Sequence, residues 1–306
     1  MTIRFDGKVA IITGAGNGLG RSHALAFAAR GAKVVVNDLG GARDGTGQSS
    51  AAAEAVVAEI VKNGGEAISN GANVANFEEV QAMVQQAMDA WGRVDILVNN
   101  AGILRDKSFS KMTMEDFKLV VDVHLMGAAY CSKAVWEIMK EQAYGRIVMT
   151  ASSSGLYGNF GQSNYSAAKL AVVGLMNSLA QEGEKYNVRV NSLAPAALTR
   201  MTEDIIPDPR AAAVLQPEPV SAGVLVLCSE DAPNKFVLCA GAGGYASSHL
   251  YETKGIHLSI DQQTPEDLVE NWEALDDASG EERLTSALSQ TAKFIKAALA
   301  DLDEKS

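Results

Sequence analysis

"VAIITGAGNGLG", residues 9–20, is the stretch whose reading decides the fold. An apolar run (9–14) passes directly into a turn carrying Gly14, Gly18 and Gly20, and a helix-length segment (19–30) follows. Glycine admits positive φ and lets a second backbone or a ligand come close. The helix N-terminus behind the turn offers free N–H groups and a positive dipole end to a pyrophosphate. A glycine turn alone says little. A strand before it and a helix behind it are the context a dinucleotide-binding turn requires.

The next apolar run, "KVVVND" (33–38), ends on Asp38, eighteen residues after Gly20. That is near the spacing at which a carboxylate reaches ribose hydroxyls in a βαβ nucleotide unit. Such a carboxylate accepts hydrogen bonds from both hydroxyls of NAD and repels a 2′-phosphate. No Arg or Lys stands within the glycine turn or directly after Asp38, and Arg43 lies in the loop beyond. The expected cofactor is therefore NAD rather than NADP.

Outward from this unit the same rhythm continues. Further strands are expected at 66–70, 95–102, 145–153, 188–195 and 235–244, with helices at 77–91, 113–141 and 165–184. The strands are near-continuous apolar runs, as in parallel strands covered on both faces. The fold class is α/β: a Rossmann-like doubly wound parallel sheet with helices on both faces and a helical C-terminal extension. The expected division is a dinucleotide-binding and catalytic domain over 1–250 and an extension over 251–306. In the extension Thr264 reads as an N-cap with Pro265 at the first helical position. Leu284, Leu288, Ile295 and Leu299 recur at helical spacing, for a helix packed on its own domain, on a partner subunit or over the substrate site. The glycine-rich loop at 39–50 exceeds the usual 2–6 residues of a βα connection and is either functional or loose.

Composition excludes more than it assigns. The formal net charge of −11 argues against nucleic acid, whose binding needs Lys and Arg against phosphates. No run approaches the ~18 apolar residues of a membrane helix, and the N-terminus lacks a secretory pattern. Cys131, Cys228 and Cys239 have no metal-ligand spacing and fit reduced thiols, so no metal site is expected.

The chemical candidate is "NFGQSNYSAAKLAVVG" (159–174), where Tyr165 and Lys169 fall one helical turn apart on one face. By itself a tyrosine–lysine pair at this spacing is an ordinary solvated surface. Here "TGAGNGLG" (13–20), "NNAG" (99–102), Ser152 in "GRIVMTASSSG" and the Tyr165/Lys169 pair follow one another in order. With that order the chain resembles the short-chain dehydrogenase/reductase family over about residues 5–245. The resemblance implies that Tyr165 is the general acid/base. Lys169 lowers the phenol pKa and binds the nicotinamide ribose, and Ser152 holds the substrate oxygen, with Ser153 and Ser154 as adjacent alternatives. It also implies cofactor contacts from Gly14, Asn17, Gly18, Leu19, Gly20, Asp38, Asn73, Val74, Asn100, Ala101, Gly102, Pro195, Tyr165 and Lys169. Family members commonly carry an asparagine forty-one residues before the tyrosine; this chain has His124. His124 either serves a water relay to Lys169 or simply packs beside the site.

Within the family, "VVVNDLGG", "NNAGILRDKSF", "VHLMG", the stretch around Tyr165 and "RMTEDIIP" (200–207) resemble (3R)-hydroxyacyl-CoA dehydrogenases of the 17β-hydroxysteroid dehydrogenase type. The implied substrate is an acyl-CoA, and the implied assembly a homodimer pairing through the helices at 113–141 and 165–184. The ending "DEKS" is not a peroxisomal address, so a cytoplasmic enzyme is expected. Arg105 and Lys107 are candidate partners for the CoA phosphates, or ordinary surface charges. A hydroxysteroid or steroid-derived CoA substrate is the rival within enzymes. A non-catalytic nucleotide sensor is the rival outside them, and an NADH-formation assay separates the two.

Overall fold

The computed structural model describes residues 2–198 and 208–304, so the stretch "RMTEDIIP" lies outside the described residues. Eight strands form one sheet: β1 (Val9–Thr13), β2 (Lys33–Asn37), β3 (Glu66–Asn70), β4 (Ile96–Asn99), β5 (Gly145–Thr150), β6 (Val188–Ala196), β7 (Val237–Gly241) and β8 (Gly244–Ser248). Their order is β3-β2-β1-β4-β5-β6-β7-β8, and β1 to β7 pair in parallel. The chain winds outward from β1 to β3, then crosses back so that β4 lies on the other side of β1. At such a reversal the carboxyl ends of the two strands open a crevice. Here those ends are Thr13 and Asn99.

Both faces of the sheet are covered, which explains the unbroken apolar strands. Ile11, Val35, Leu97, Ile147 and Val190 face α3 (Phe77–Trp91), α5 (Gly127–Glu141) and α7 (Ser163–Gly183), through Met83, Val135 and Met176 among others. Their neighbours Ala10, Ile12, Val34, Ile96 and Val148 face α1 (Gly18–Ala28), α2 (Ala51–Lys62) and α9 (Pro217–Leu227), through Phe27, Ile60 and Val224. The period-two alternation of strand side chains sorts the two cores. α3 shows the local logic: Asn76 accepts from the N–H groups of Glu78 and Glu79, and Gly92 ends the helix at φ 71°. The shorter α6 (Ser153–Tyr157) and α8 (Pro209–Val214) complete this part.

The single helix expected over 113–141 is instead α4 (Met114–Val121), a wide π-helical turn (Asp122–Met126) and α5. The wide turn carries His124 inward onto Gly102. A Cβ at Gly127, directly after it, would meet Val74 Cγ2 at 2.8 Å, so the helix axis runs unusually close to that loop.

The chain divides into two compact units, 1–247 and 248–306. The second holds α10 (Pro265–Glu270), α11 (Trp272–Leu275) and α12 (Ala287–Glu304). Thr264 caps α10 by accepting from Asp267 N–H, as its sequence implied. Lys293 of α12 pairs with Glu252 at 3.0 Å. Leu284 precedes α12, and Leu288, Ile295 and Leu299 are more than half exposed.

Candidate active site

Thr13 stitches the crevice together. Its hydroxyl accepts from the backbone N–H groups of Asn100 and Ala101, each at 3.0 Å. The Asn100 amide donates back to the carbonyls of Thr13 and Gly14 at 2.9 and 3.0 Å. The glycine turn and the NNAG segment are thereby one rigid rim. Gly20 has no room for a side chain, since a Cβ there would lie 2.1 Å from the Gly14 carbonyl oxygen.

A cavity of about 250 Å³ opens along this rim. Of the residues assigned to the cofactor by sequence, Gly14, Asn17, Gly18, Leu19, Gly20, Asp38, Asn73, Val74, Asn100, Ala101 and Gly102 line it. Pro195, at the end of β6 beside Ala240, is outside that lining, as are Ser152, Tyr165 and Lys169. Asp38 accepts from Gly16 N–H and Gly40 N–H, both at 2.7 Å. Each carboxylate oxygen keeps a second acceptor site, so the group is held in place and still able to take both hydroxyls of a ribose.

The loop at 39–50 is part of this wall. Leu39, Gly41, Ala42, Arg43 and Gly45 line the cavity. The loop is internally bonded, Ala42 N–H to Thr46 carbonyl at 2.7 Å, and docked by Leu104 N–H on the Arg43 carbonyl at 2.9 Å. Its length alone could not distinguish a wall from a loose excursion; the signal lay in the glycine spacing, which permits the tight internal turns. Ile103, Leu119 and Val123 also line the cavity and carried no sequence signal beyond being apolar.

At the neighbouring strand end, Lys169 is buried and donates to the Thr150 carbonyl at 2.5 Å. Its Nζ lies 5.5 Å from the centre of the Tyr165 ring. Burial lowers the Lys169 pKa to about 7. Burial likewise raises the Tyr165 phenol to about 12, with the Ser152 side chain acting in the opposite direction and Asp106 adding to the rise. Ser152 caps α6 by accepting from Ser154 N–H at 3.2 Å. Ser154 is instead engaged with Gln162 at 2.8 Å, and Ser153 is exposed, which leaves Ser152 as the serine beside the phenol.

His124 stands edge-on to Tyr165, ring centres 5.0 Å apart. Its Nε2 meets the Ile103 carbonyl oxygen at 2.8 Å and the Ile103 N–H at 3.1 Å, while its buried Nδ1 has no partner. Burial first, and then the Lys169 charge, hold its pKa well below the ordinary histidine value. The ring is therefore neutral and anchored to the backbone through one nitrogen.

Arg105, a candidate either for CoA phosphates or for an ordinary surface charge, is bonded within the protein. Its Nη1 donates to Asp116 Oδ1 at 2.7 Å and its Nε to the Asp44 carbonyl at 2.9 Å. Lys107 lies 3.6 Å from the same Asp116 and is more exposed. No cluster of His, Cys, Asp or Glu suited to a metal occurs among the described residues, and no helix among them is long and apolar enough to cross a membrane.

Comparison with known proteins follows the same lines. The family model for short chain dehydrogenases matches residues 8–210. The chain is 50% identical over 283 residues to peroxisomal multifunctional enzyme type 2 of Mus musculus, covering 90% of this chain and 38% of that enzyme. The full-length peroxisomal multifunctional enzyme type 2 from Drosophila melanogaster superposes with a TM-score of 0.81 at 38% identity, over 98% of this chain and 51% of that one. A 7α-hydroxysteroid dehydrogenase complexed with NADH and 7-oxo glycochenodeoxycholic acid gives a TM-score of 0.71 at 33% identity, over 79% and 95%. The chain thus spans about half or less of the two multifunctional enzymes. The matched span runs through both the nucleotide crevice and the helix bearing Tyr165, and the chain belongs to the short chain dehydrogenase family of oxidoreductases.

Proposed function

We propose that this enzyme interconverts 3-hydroxyacyl-CoA and 3-oxoacyl-CoA, with NAD as the hydride partner. The observation that carries the reading is the meeting of Tyr165, Lys169 and Ser152 at the carboxyl end of β5, next to a crevice whose Asp38 presents free acceptor sites. The glycine turn, Asp38 and the NNAG segment would hold a nicotinamide dinucleotide there, and it would supply or accept the hydride. Tyr165 gives its proton to the carbonyl oxygen in reduction and removes the alcohol proton in oxidation. Ser152 orients that oxygen. Lys169, when protonated, favours the phenolate and so eases the oxidative direction.

Two supports bear on the substrate. The stretches around Asp38, NNAG and Tyr165 resemble hydroxyacyl-CoA dehydrogenases, and the chain shares half its residues with a mouse multifunctional enzyme over most of its length. A steroid alcohol is the second reading, favoured by the hydroxysteroid dehydrogenase likeness and by the exposed Tyr157 and Phe160 after Ser152. NAD is favoured over NADP because a 2′-phosphate would meet the Asp38 carboxylate. The reading extends to a cytoplasmic homodimer. Its supports are the three free cysteines, two of them buried, and the prevalence of two-fold dimers. Sedimentation and cell fractionation test those two points.

The deciding experiment is reduced-cofactor formation from 3-hydroxyacyl-CoA, the matching free acid and hydroxysteroids, with NAD and with NADP. The thioester should exceed the free acid by more than about tenfold in kcat/KM, because the remote CoA contacts orient the acyl part. Equal rates for thioester and acid, or preference for a steroid, would move the reading to the second substrate. Equal use of NADP would remove the role given to Asp38. No turnover with any alcohol, alongside tight NADH binding, would favour the sensor.

A further inference from the structure

The residues at 103–107 bond to the 39–50 loop, to His124 and to the segment just before Tyr165. Ile103 meets His124, Leu104 holds the Arg43 carbonyl, and the Arg105 carbonyl accepts from the Asn164 amide at 3.1 Å. Asp106 accepts from the Gln162 amide at 2.7 Å, and Lys107 N–H donates to the Gly161 carbonyl at 2.9 Å. The Asn164 side chain in turn accepts from the Tyr165 N–H at 2.7 Å. One side chain in this segment bridges the 39–50 loop and α4.

That side chain is Arg105. On one side its Nε bonds the carbonyl of Asp44, in the lip whose Ala42, Arg43 and Gly45 line the cavity. On the other its Nη1 bonds Asp116, which is 9% exposed and sits in the first turn of α4. One helical turn further, α4 contributes Leu119 to the cavity wall. The planar guanidinium serves both partners at once, which an ammonium does only with a different geometry. The lip itself contains Gly45 between Gly41 and Gly47, and such a glycine-rich run loses much conformational freedom on being ordered. Where a binding-competent arrangement is only partly populated, apparent affinity falls by that fraction.

We propose that Arg105 is a positioning residue for the dinucleotide, pinning the lip at Asp44 to Asp116 of α4 so that the cavity wall is set before the cofactor arrives. The proposal rests on the reading of this cavity as the dinucleotide site. It places the effect of Arg105 on cofactor affinity rather than on the chemical step or on CoA phosphates.

The test is a titration of the full chain with NADH, followed by its fluorescence, with AMP as a competitor and steady-state kinetics alongside. Arg105→Met should raise the NADH dissociation constant and the AMP inhibition constant on the order of tenfold, the scale of one lost charge-assisted hydrogen bond. kcat at saturating NAD should stay within about threefold, since no reacting group is moved. The milder Arg105→Lys keeps the charge against Asp116 and loses the fork; it should fall between, and it carries the test if the methionine variant does not fold. Unchanged NADH and AMP affinity in a folded variant would overturn the proposal. So would a KM increase confined to the CoA-bearing substrate. Absence of NADH binding by the unaltered chain would instead overturn the reading of the cavity, and the proposal with it.

Discussion

A phenol held near pKa 12 by burial gives up no proton at neutral pH, and a lysine held near 7 carries its charge only part of the time. Tyr165 in the ligand-free protein is therefore a proton donor awaiting a stronger positive field. Tyr165→Phe removes the transferable proton and little else. Turnover should fall by three orders of magnitude or about that, consistent with loss of a general acid/base, while NADH binding stays within about twofold. Activity within tenfold of the parent would exclude Tyr165 from this role. Lys169 also leaves a signature on stability. Its folded pKa is below its ordinary 10.5, so between about pH 7 and 10.5 the unfolded chain binds more protons than the folded one. Stability from this group then rises with pH across that window. Lys169→Met should flatten the rise, as read from urea midpoints of the ligand-free protein; an unchanged slope would mean the ammonium is better solvated than its burial implies.

At the scale of elements, Ala143 follows α5 with φ 51°, in a position where glycine is the usual residue. Its N–H bonds the Lys140 carbonyl at 3.1 Å, so the turn itself is sound and the strain is confined to the Cβ. Ala143→Gly should stabilise the protein by about 1 kcal/mol, visible as a higher urea midpoint at constant slope. A lower midpoint would show that the methyl contributes packing that outweighs the strain. The same scale shows what the sequence disclosed. Strand 66–70 and helix 77–91 match β3 and α3 residue for residue, because apolar runs and an Asn76 cap mark their ends. The turn at 122–126 was not legible, and it is followed by Gly127, whose backbone lies against Val74 from a segment far away in sequence. Neither α2, which follows the long loop, nor α9, which begins at Pro217, was among the helices expected from the sequence. Within the site, the glycine turn and Asp38 were read from their spacing, and Tyr165 and Lys169 through the family resemblance. The engagement of Arg105 by Asp116 and Asp44 was not, since it depends on three segments brought together by the fold.

For the molecule as a whole, every residue lining the nucleotide cavity belongs to the unit 1–247. Saturating NADH should therefore slow amide exchange at 13–20, 38–45, 72–75 and 100–103. At 100 times its dissociation constant the ligand contributes about 2.7 kcal/mol, enough for a clear difference. Unchanged exchange in those four segments would place the nucleotide elsewhere.

The sheet order also sets where this protein tolerates recombination. Every residue lining the cavity is encoded before residue 124, and Ser152, Tyr165 and Lys169 come after residue 150. Between them runs α5, a natural splice region. Across that joint the acidic side chain of Asp106 meets Gln162, and Asn164 meets only backbone. A hybrid built from two parents needs matched side chains on both sides of the joint: Asp106 with Gln162, His124 with Tyr165, Asn99 with Met149, and Ser22 and His23 with Ser221. With those pairs kept, the cavity wall of one parent should accept Ser152, Tyr165 and Lys169 from another.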